Sequence, residues 1–576
     1  RTRTHSALRV CLRAAFCKPS SAMSVASVQA AAAAQTNVCA QNLSQRNAPT
    51  PRSAPINSMR LRKGFCLGGS SLRKKASRNS NASQCRAVSV RASANGDQGD
   101  SHGDWQSKDL VVVGGGVSGL TVAFGVVNEM ESADVLVTEA RSRVGGNITT
   151  MRDGDYLWEE GPNSFQPGDP ILSTACDVGL QQEIELADPN SYRFVYWEGQ
   201  LRALPANPVD AVFGDFLTFP GKIRAGLGAI GVKSPPPDRE ESVKEFVSRN
   251  LGEEAFERLI EPFCSGVYAG DPKSLSAEAA TGRVQRLEPL GGSLVAGAIM
   301  AQKEKAATKQ PRDPRLPLVT GQTVGSFKEG LITLPNALEK KLGDRVRVNW
   351  QLTRLTKLPE GGFGLEYNTP DGPAMLRAKA VVLTAPAYVT ADTIEELSKD
   401  ASDALKEFYY PPVCAVTTVY PKSAFREPEH GKGALKGFGQ LHPRSQGIRT
   451  LGTIYCSHLF PGRCPENEGM LLNYIGGAQD PAIADMSEGD IVEQVHKDAL
   501  QTLLKPGTEM PKLLGLRLWP KAIPQFNLGH MAVLDRAEKA LQAAGADGLY
   551  LGGNYKAGVA LGRCVEYARE QAVEIA

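Results

Sequence analysis

An α/β fold is predicted by three stretches of this sequence. KDLVVVGGGVSGLTVAFGVVNEM, from Lys108 to Met130, passes from a continuous apolar segment through a glycine cluster into an apolar helical pattern. ADVLVTEA, from Ala133 to Ala140, is a second buried strand. Together they make one strand–helix–strand unit of about 30 residues, the usual size of a parallel crossover. The third stretch lies at the far end of the chain, where GLYLGGNYKAGVALGRCVEYAREQAVEIA (Gly548–Ala576) again reads strand, glycine turn, helix. One α/β layer is therefore assembled from distant pieces, with inserts that build a second domain.

Between these ends the elements follow in order. A glycine-rich loop runs to about Pro170, and a helical region is expected from about Gly179 to Gln302. Within it Ser242 and Glu245 form a capping box, followed by an apolar face of Val243, Phe246, Val247 and Leu251. Residues 302–325 are charged and proline-rich, a linker or loop. RVRVNWQLTRLTKL and GFGLEYNTPDGPAMLRAKAVVLTAPA read as antiparallel strands with a turn at Asp371–Gly372. PPVCAVTTVYP and LLNYIGG read as further strands.

The chain has 576 residues and a net charge of +3, but the charge is unevenly placed. Residues 1–96 hold sixteen Lys or Arg and no Asp or Glu, leaving 49 basic residues against all 62 acidic ones in the rest. Such an acid-free arm, rich in Ser, Ala and Arg, reads as an organelle transit peptide ending near Val90–Ala92, with plastid favoured over mitochondrion. The mildly acidic body gives no support for nucleic-acid binding. Six of the eleven cysteines lie beyond the arm, scattered and without a C-x-x-C pair, so no metal or disulfide framework is implied. No run of 18 apolar residues occurs, and no spanning helix is expected.

The chemistry is carried by Gly114-x-Gly116-x-x-Gly119, with Gly115, Val117 and Ser118 inside the motif. The first glycine permits the tight turn, the second a close approach of pyrophosphate, the third close packing of helix on strand. The phosphates then sit on the helix N-terminus. Glu139 follows Gly119 by twenty residues at the end of the second strand, with Ala140 beside it. A carboxylate there accepts hydrogen bonds from a ribose diol and repels a 2′-phosphate. Two features favour FAD over NAD. EARSRVGGN brings Arg141, Arg143, Gly145, Gly146 and Asn147, a second close-approach loop, and Gly161, Pro162, Asn163 and Ser164 extend it. The C-terminal LGGNYKAGVAL brings Asn554 and a helix N-terminus at Val559, Ala560 and Leu561, whose dipole suits the flavin's N1–C2 oxygen edge. Leu352 is placed with these cofactor contacts.

At these residues the sequence resembles the flavin amine oxidase superfamily, where E-x-x-x-R-x-G-G follows the fingerprint. IEPFCSGVYAGDP, KGFGQLHPR, LGTIYCSHLFPGR, LLNYIGG and GGNYKAGVALGRCVE narrow the likeness to the plastid-type protoporphyrinogen oxidases, from about Lys108 to the C-terminus. The resemblance implies non-covalent FAD and oxidation of protoporphyrinogen IX to protoporphyrin IX in haem and chlorophyll synthesis. It implies hydride transfer to flavin N5 in two-electron steps, with oxygen as terminal acceptor and release of hydrogen peroxide. It further implies a peripheral place on a thylakoid or envelope membrane and a homodimer. It assigns Phe438, Ala387 and Gly266 to the substrate, and puts Gln181 where mitochondrial-type relatives carry a propionate-pairing Arg; Arg193 or Arg202 stand as candidates to compensate.

No catalytic side chain is expected, because hydride transfer to a flavin needs orientation and a dry cavity rather than a protein base. His442, His458 and His530 show no metal-ligand spacing. FGDFLTFPGKIRAGLGAIGVK (Phe213–Lys233) mixes aromatic and basic residues, as an interfacial membrane contact or as a loop packed on the helical region. The organisation expected is a transit peptide at 1–92; a discontinuous Rossmann-type FAD-binding domain at 108–180, 320–386 and 525–576; a mainly helical, membrane-associating insert at 181–310; and an α+β substrate domain at 387–524. The alternatives kept open are an amine oxidase, a carotenoid desaturase, or a flavin-binding protein without catalysis.

Overall fold

The computed structural model describes residues 105–576 except 206–209, 211–213, 308–310 and 427–434. The expected transit peptide, 1–92, lies outside the described residues.

β1 (Gln106–Val113) lies at the centre of a seven-stranded sheet. It pairs in parallel with β2 (Val135–Glu139) on one side and with the end of the long Gly372–Leu383 strand on the other, in the register Val112↔Val137 and Val112↔Val382. Val111 and Val112 are wholly buried, because both faces of this strand are covered. One face carries α1 (Val117–Glu129), the helix Thr333–Leu342 and the C-terminal helix Leu561–Ile575, packed through Leu120, Val122, Leu338, Val565 and Ala568. The fit is close: a methyl group on Gly125 would come within 2.5 Å of Ala572 Cβ. The other face carries Ala387–Ile394, Lys399–Lys406 and His530–Ala543. The layer continues past the boundary expected at 386: Ala387, Ala391 and Leu405 are wholly buried in the same core as Val111, Val381 and Leu383.

Asp371–Gly372 closes the predicted hairpin, with Thr369 opposite Gly372. Strand Leu549–Leu551 pairs with Val381–Leu383 and brings the chain end back beside β1.

The second sheet also has seven strands, in the order Lys512–Trp519, Val413–Pro421, Glu468–Gly476, Thr450–Tyr455, Gly439–Leu441, Arg193–Trp197 and Gln200–Ala203. The last two fall in a segment expected to be helical. RFVYW is rich in residues that suit a pleated surface, and Glu198 and Gly199 both take positive φ (51° and 81°), the backbone of a tight two-residue hairpin turn. Among the described residues the longer helices of this region are Phe219–Ala229, Val243–Leu251, Glu261–Tyr268, Ala277–Gln285 and Leu294–Ala307. The capping box forms as read: Ser242 Oγ accepts from Glu245 N at 3.2 Å, and Ser242 N donates to Glu245 Oε2 at 3.0 Å. Among the described residues no helix is long and apolar enough to cross a membrane.

Candidate active site

At the end of β1 the backbone turns sharply at Gly114, whose φ is +113°. A side chain there would also strike Thr384 Oγ1 at 2.5 Å. That hydroxyl donates to the carbonyls of Val113 and Gly114 at 3.0 and 3.2 Å, tying the turn to the neighbouring strand. Gly116 caps α1 with no side-chain bond, leaving the first N–H groups of the helix, from Val117 and Ser118 on, open to an anion. At Gly119 a methyl group would lie 2.0 Å from the Gly114 carbonyl oxygen, so only glycine lets the helix start this close to the strand.

Glu139 ends β2 buried, accepting from Gly115 N at 2.8 Å and Arg141 N at 2.9 Å. Ala140 follows it on the surface. The Arg143–Gly146 loop lies alongside: Gly145 N donates to Gly115 O at 2.8 Å, and a methyl group on Gly146 would stand 3.3 Å from Gly116 Cα. The Arg143 guanidinium is spent on this loop, donating to the carbonyls of Val144 and Ile148 and to Thr149 Oγ1. Leu352 is partly buried in the strand beginning at Gln351, close to Trp350, whose N–H donates to Glu139 O at 2.9 Å.

A cavity of about 1070 Å³ opens beyond this loop. It brings together Asn147, Gly161 to Ser164, Gly266, Phe438, Asn554 and Val559 to Leu561. Gly161 fits only without a side chain, since a methyl group would meet Asn147 O at 2.0 Å. The second sheet holds the same loop: Tyr474 Oη donates to Gly161 O at 2.8 Å and Trp519 Nε1 to Glu160 O at 2.7 Å. Gly266 faces Leu441, whose Cδ2 would be 2.4 Å from a methyl group. Ala560 caps the C-terminal helix with no side-chain bond, so that helix too points free N–H groups at the cavity.

Two residues assigned to the substrate, Ala387 and Gln181, and the candidate Arg202 are not among the residues that line this cavity. Ala387 lies outside the cavity: it is fully buried under the first sheet, its N–H donating to Tyr410 Oη at 3.0 Å. Gln181 lies outside it as well, on a short surface turn where Nε2 donates to Arg315 O at 2.6 Å. Arg202 is held by Asp215 and Glu198, away from the cavity. Arg193, by contrast, lines it. Its guanidinium donates to Gln322 Oε1 and O at 2.9 and 2.8 Å and stacks 5.1 Å from the Phe438 ring centre. Arg283 and Arg286 also line the wall, as does Tyr474. Arginines on a helix read as solvated in the sequence, and only the packing turns them inward.

The carboxylates that line the wall are those of Glu160, Glu278 and Asp535, with Lys556 and His530 as the basic side chains beside the arginines. Burial pushes the Cys456 thiol, against Asn163, up to about 12. His530, on the wall, is pulled down to about 4 by burial and stays neutral. Among the described residues no cluster of His, Cys, Asp or Glu could hold a metal.

These features fit FAD. The cradle has glycines exactly where backbone contact is needed on both loops, two uncapped helix N-termini, and a buried Asn163 Nδ2 without a partner on the wall. Fold and site define a two-domain flavoprotein oxidoreductase. Residues 117–576 match the flavin-containing amine oxidoreductases, and the chain belongs to that family, with FAD as its cofactor. It is 56% identical to the chloroplastic protoporphyrinogen oxidase of Oryza sativa subsp. japonica, over 81% of this chain and 88% of that protein. It is 53% identical to the chloroplastic protoporphyrinogen oxidase of Nicotiana tabacum, over 81% and 85%. A solved structure from Exiguobacterium superposes with a TM-score of 0.66 at 23% identity, covering 81% of this chain and 98% of that one, a likeness of fold.

Proposed function

We propose that this chain oxidises protoporphyrinogen to protoporphyrin with FAD, for haem and chlorophyll synthesis in the plastid, passing the electrons to oxygen. The observation that carries the reading is the cavity that runs from Asn147, the Gly161–Ser164 loop and the uncapped helix at Leu561 to a broad apolar wall. Bound FAD supplies the two-electron acceptor. The uncapped N-terminus at Leu561 favours negative charge on whatever ring edge it faces. Phe438, Leu441, Ile454 and Phe263 exclude water and leave a flat macrocycle little freedom.

The test supplies chemically reduced porphyrinogen to flavin-loaded protein and follows porphyrin fluorescence with oxygen uptake. A rate no higher than autoxidation overturns the reading.

A peripheral membrane contact belongs to the same proposal, with a homodimer and removal of residues 1–92 on import. Helix Phe219–Ala229 and the turn after it expose Phe219 (75%), Ile223, Leu227, Ile230 (63%) and Val232. The nearby cations face inward: Arg224 donates to the carbonyls of Ser248 and Arg249, and Lys233 pairs with Glu288. An apolar stripe of this kind suits a lipid interface. Ile223→Asp with Ile230→Asp is expected to abolish flotation with vesicles and to spare FAD content.

A further inference from the structure

One part of the cavity wall has no role in the reading above. Helix Ala277–Gln285 departs from helical geometry at Thr281 (φ −125°, ψ 26°). The turn that follows faces the cavity with Gly282, Arg283 and Arg286. A methyl group on Gly282 would meet nothing within 4 Å, so the wall is open at this point. Arg283 and Arg286 are three residues apart, neighbours on one helical face.

Nε and Nη2 of Arg283 and Nε of Arg286 are buried with no hydrogen-bond partner among the described residues. Glu566 acts on Arg283 through its charge, but its carboxylate is already bonded to Arg563 Nη1 at 2.6 Å. Burial, and then the charge of Arg563, pull the Arg283 guanidinium down to about 9. Buried donors left unmade are costly, and a guanidinium fork is matched best by a carboxylate. Arg193 is a weaker candidate for that partner, because both of its Nη atoms are taken by Gln322. Gln181 is excluded by its place on the surface.

We propose that Arg283 and Arg286 form a carboxylate-binding subsite that holds the propionate edge of the tetrapyrrole and thereby fixes which meso carbon faces the cofactor. This rests on the porphyrinogen reading.

The experiment compares FAD-loaded wild type with Arg283→Gln, Arg286→Gln, the double Gln variant and the double Lys variant. Each is assayed with protoporphyrinogen and with its uncharged dimethyl ester for kcat and KM, and by fluorescence titration with protoporphyrin and its dimethyl ester. For the diacid, KM is expected to rise roughly tenfold per arginine removed. For the ester it should stay within about twofold, and the Lys pair should recover much of the loss. Flavin absorbance should be unchanged. Equal losses for diacid and ester would make the arginines merely structural and overturn the proposal. So would an unaltered KM for the diacid, or a loss of FAD, which would assign them to the cofactor. If wild type oxidises neither porphyrinogen, the functional reading fails, while the titrations still decide whether these arginines hold a carboxylate.

Discussion

Around β1 the site is made of backbone, whereas around Phe438 it is made of side chains. Gly114, Gly119, Gly145 and Gly161 each sit where a methyl group would collide with a neighbour at 2.0 to 2.6 Å. At Gly119 and Gly161 the neighbour is a backbone carbonyl oxygen, which no rotamer change can move. On the far wall Phe438 and Leu441, Arg193, Arg283 and Phe263 come from four separate segments, and their fit depends on the second sheet and a helical insert docking correctly. The cofactor end is thus rigid and local, and the substrate end is assembled. A change at the first should remove the cofactor; a change at the second should alter turnover and leave the cofactor bound.

The largest test of this contrast is Gly119→Val. Its side chain would start 2.0 Å from the Gly114 carbonyl oxygen, a backbone atom that cannot swing aside, with Thr384 Oγ1 and Val112 Cγ1 at 2.9 and 3.1 Å. The purified protein is expected to carry less than about a tenth of the wild-type FAD, read from flavin absorbance.

Next comes Glu159, where the two regions meet. Its carboxylate is almost fully buried and accepts from Leu331 N at 2.7 Å and Thr150 Oγ1 at 2.8 Å. Burial raises its pKa from 4.5 to about 7, more than those hydrogen bonds lower it. A pKa raised on folding gives stability that is complete below the unfolded value and lost as pH rises through the folded one. About 3 kcal/mol should therefore disappear between pH 4.5 and 7. Glu159→Gln should flatten that part of the profile of thermal midpoint against pH. An unchanged slope would show that Glu159 keeps an ordinary pKa.

Phe438→Ala should lower kcat/KM for porphyrinogen by about 30-fold, near 2 kcal/mol of lost contact, with full FAD content. Loss of FAD in this variant would break the division between the two ends. The smallest effect is expected from Glu139→Gln: about tenfold weaker FAD binding, with kcat unchanged at saturating cofactor.

The same division explains what could be read from the sequence. β1, the glycine turn, α1 and β2 are one local unit, and the positive φ of Gly114 and the contact of Gly119 with the Gly114 carbonyl both arise within it. The uncapped helix at Leu561 was legible for the same reason. Arg283 was not, because its place depends on a helix bending at Thr281, and Arg193 stood only as one of two candidates, because its place depends on strand Arg193–Trp197 pairing with Gly439–Leu441. Ala387 and Gln181 were assigned by likeness to relatives, and their surroundings in this chain point them elsewhere.

The short strand Leu549–Leu551 has a consequence for how the protein is made. β1 and Gly372–Leu383 form early in the sequence, yet the strand that completes their edge and the helix that covers α1 are at the very end. Until the last residues arrive, the apolar surface of α1 that the C-terminal helix covers stays open. FAD binding is therefore a late event in biogenesis, and the chain needs shielding from aggregation until its C-terminus is in place.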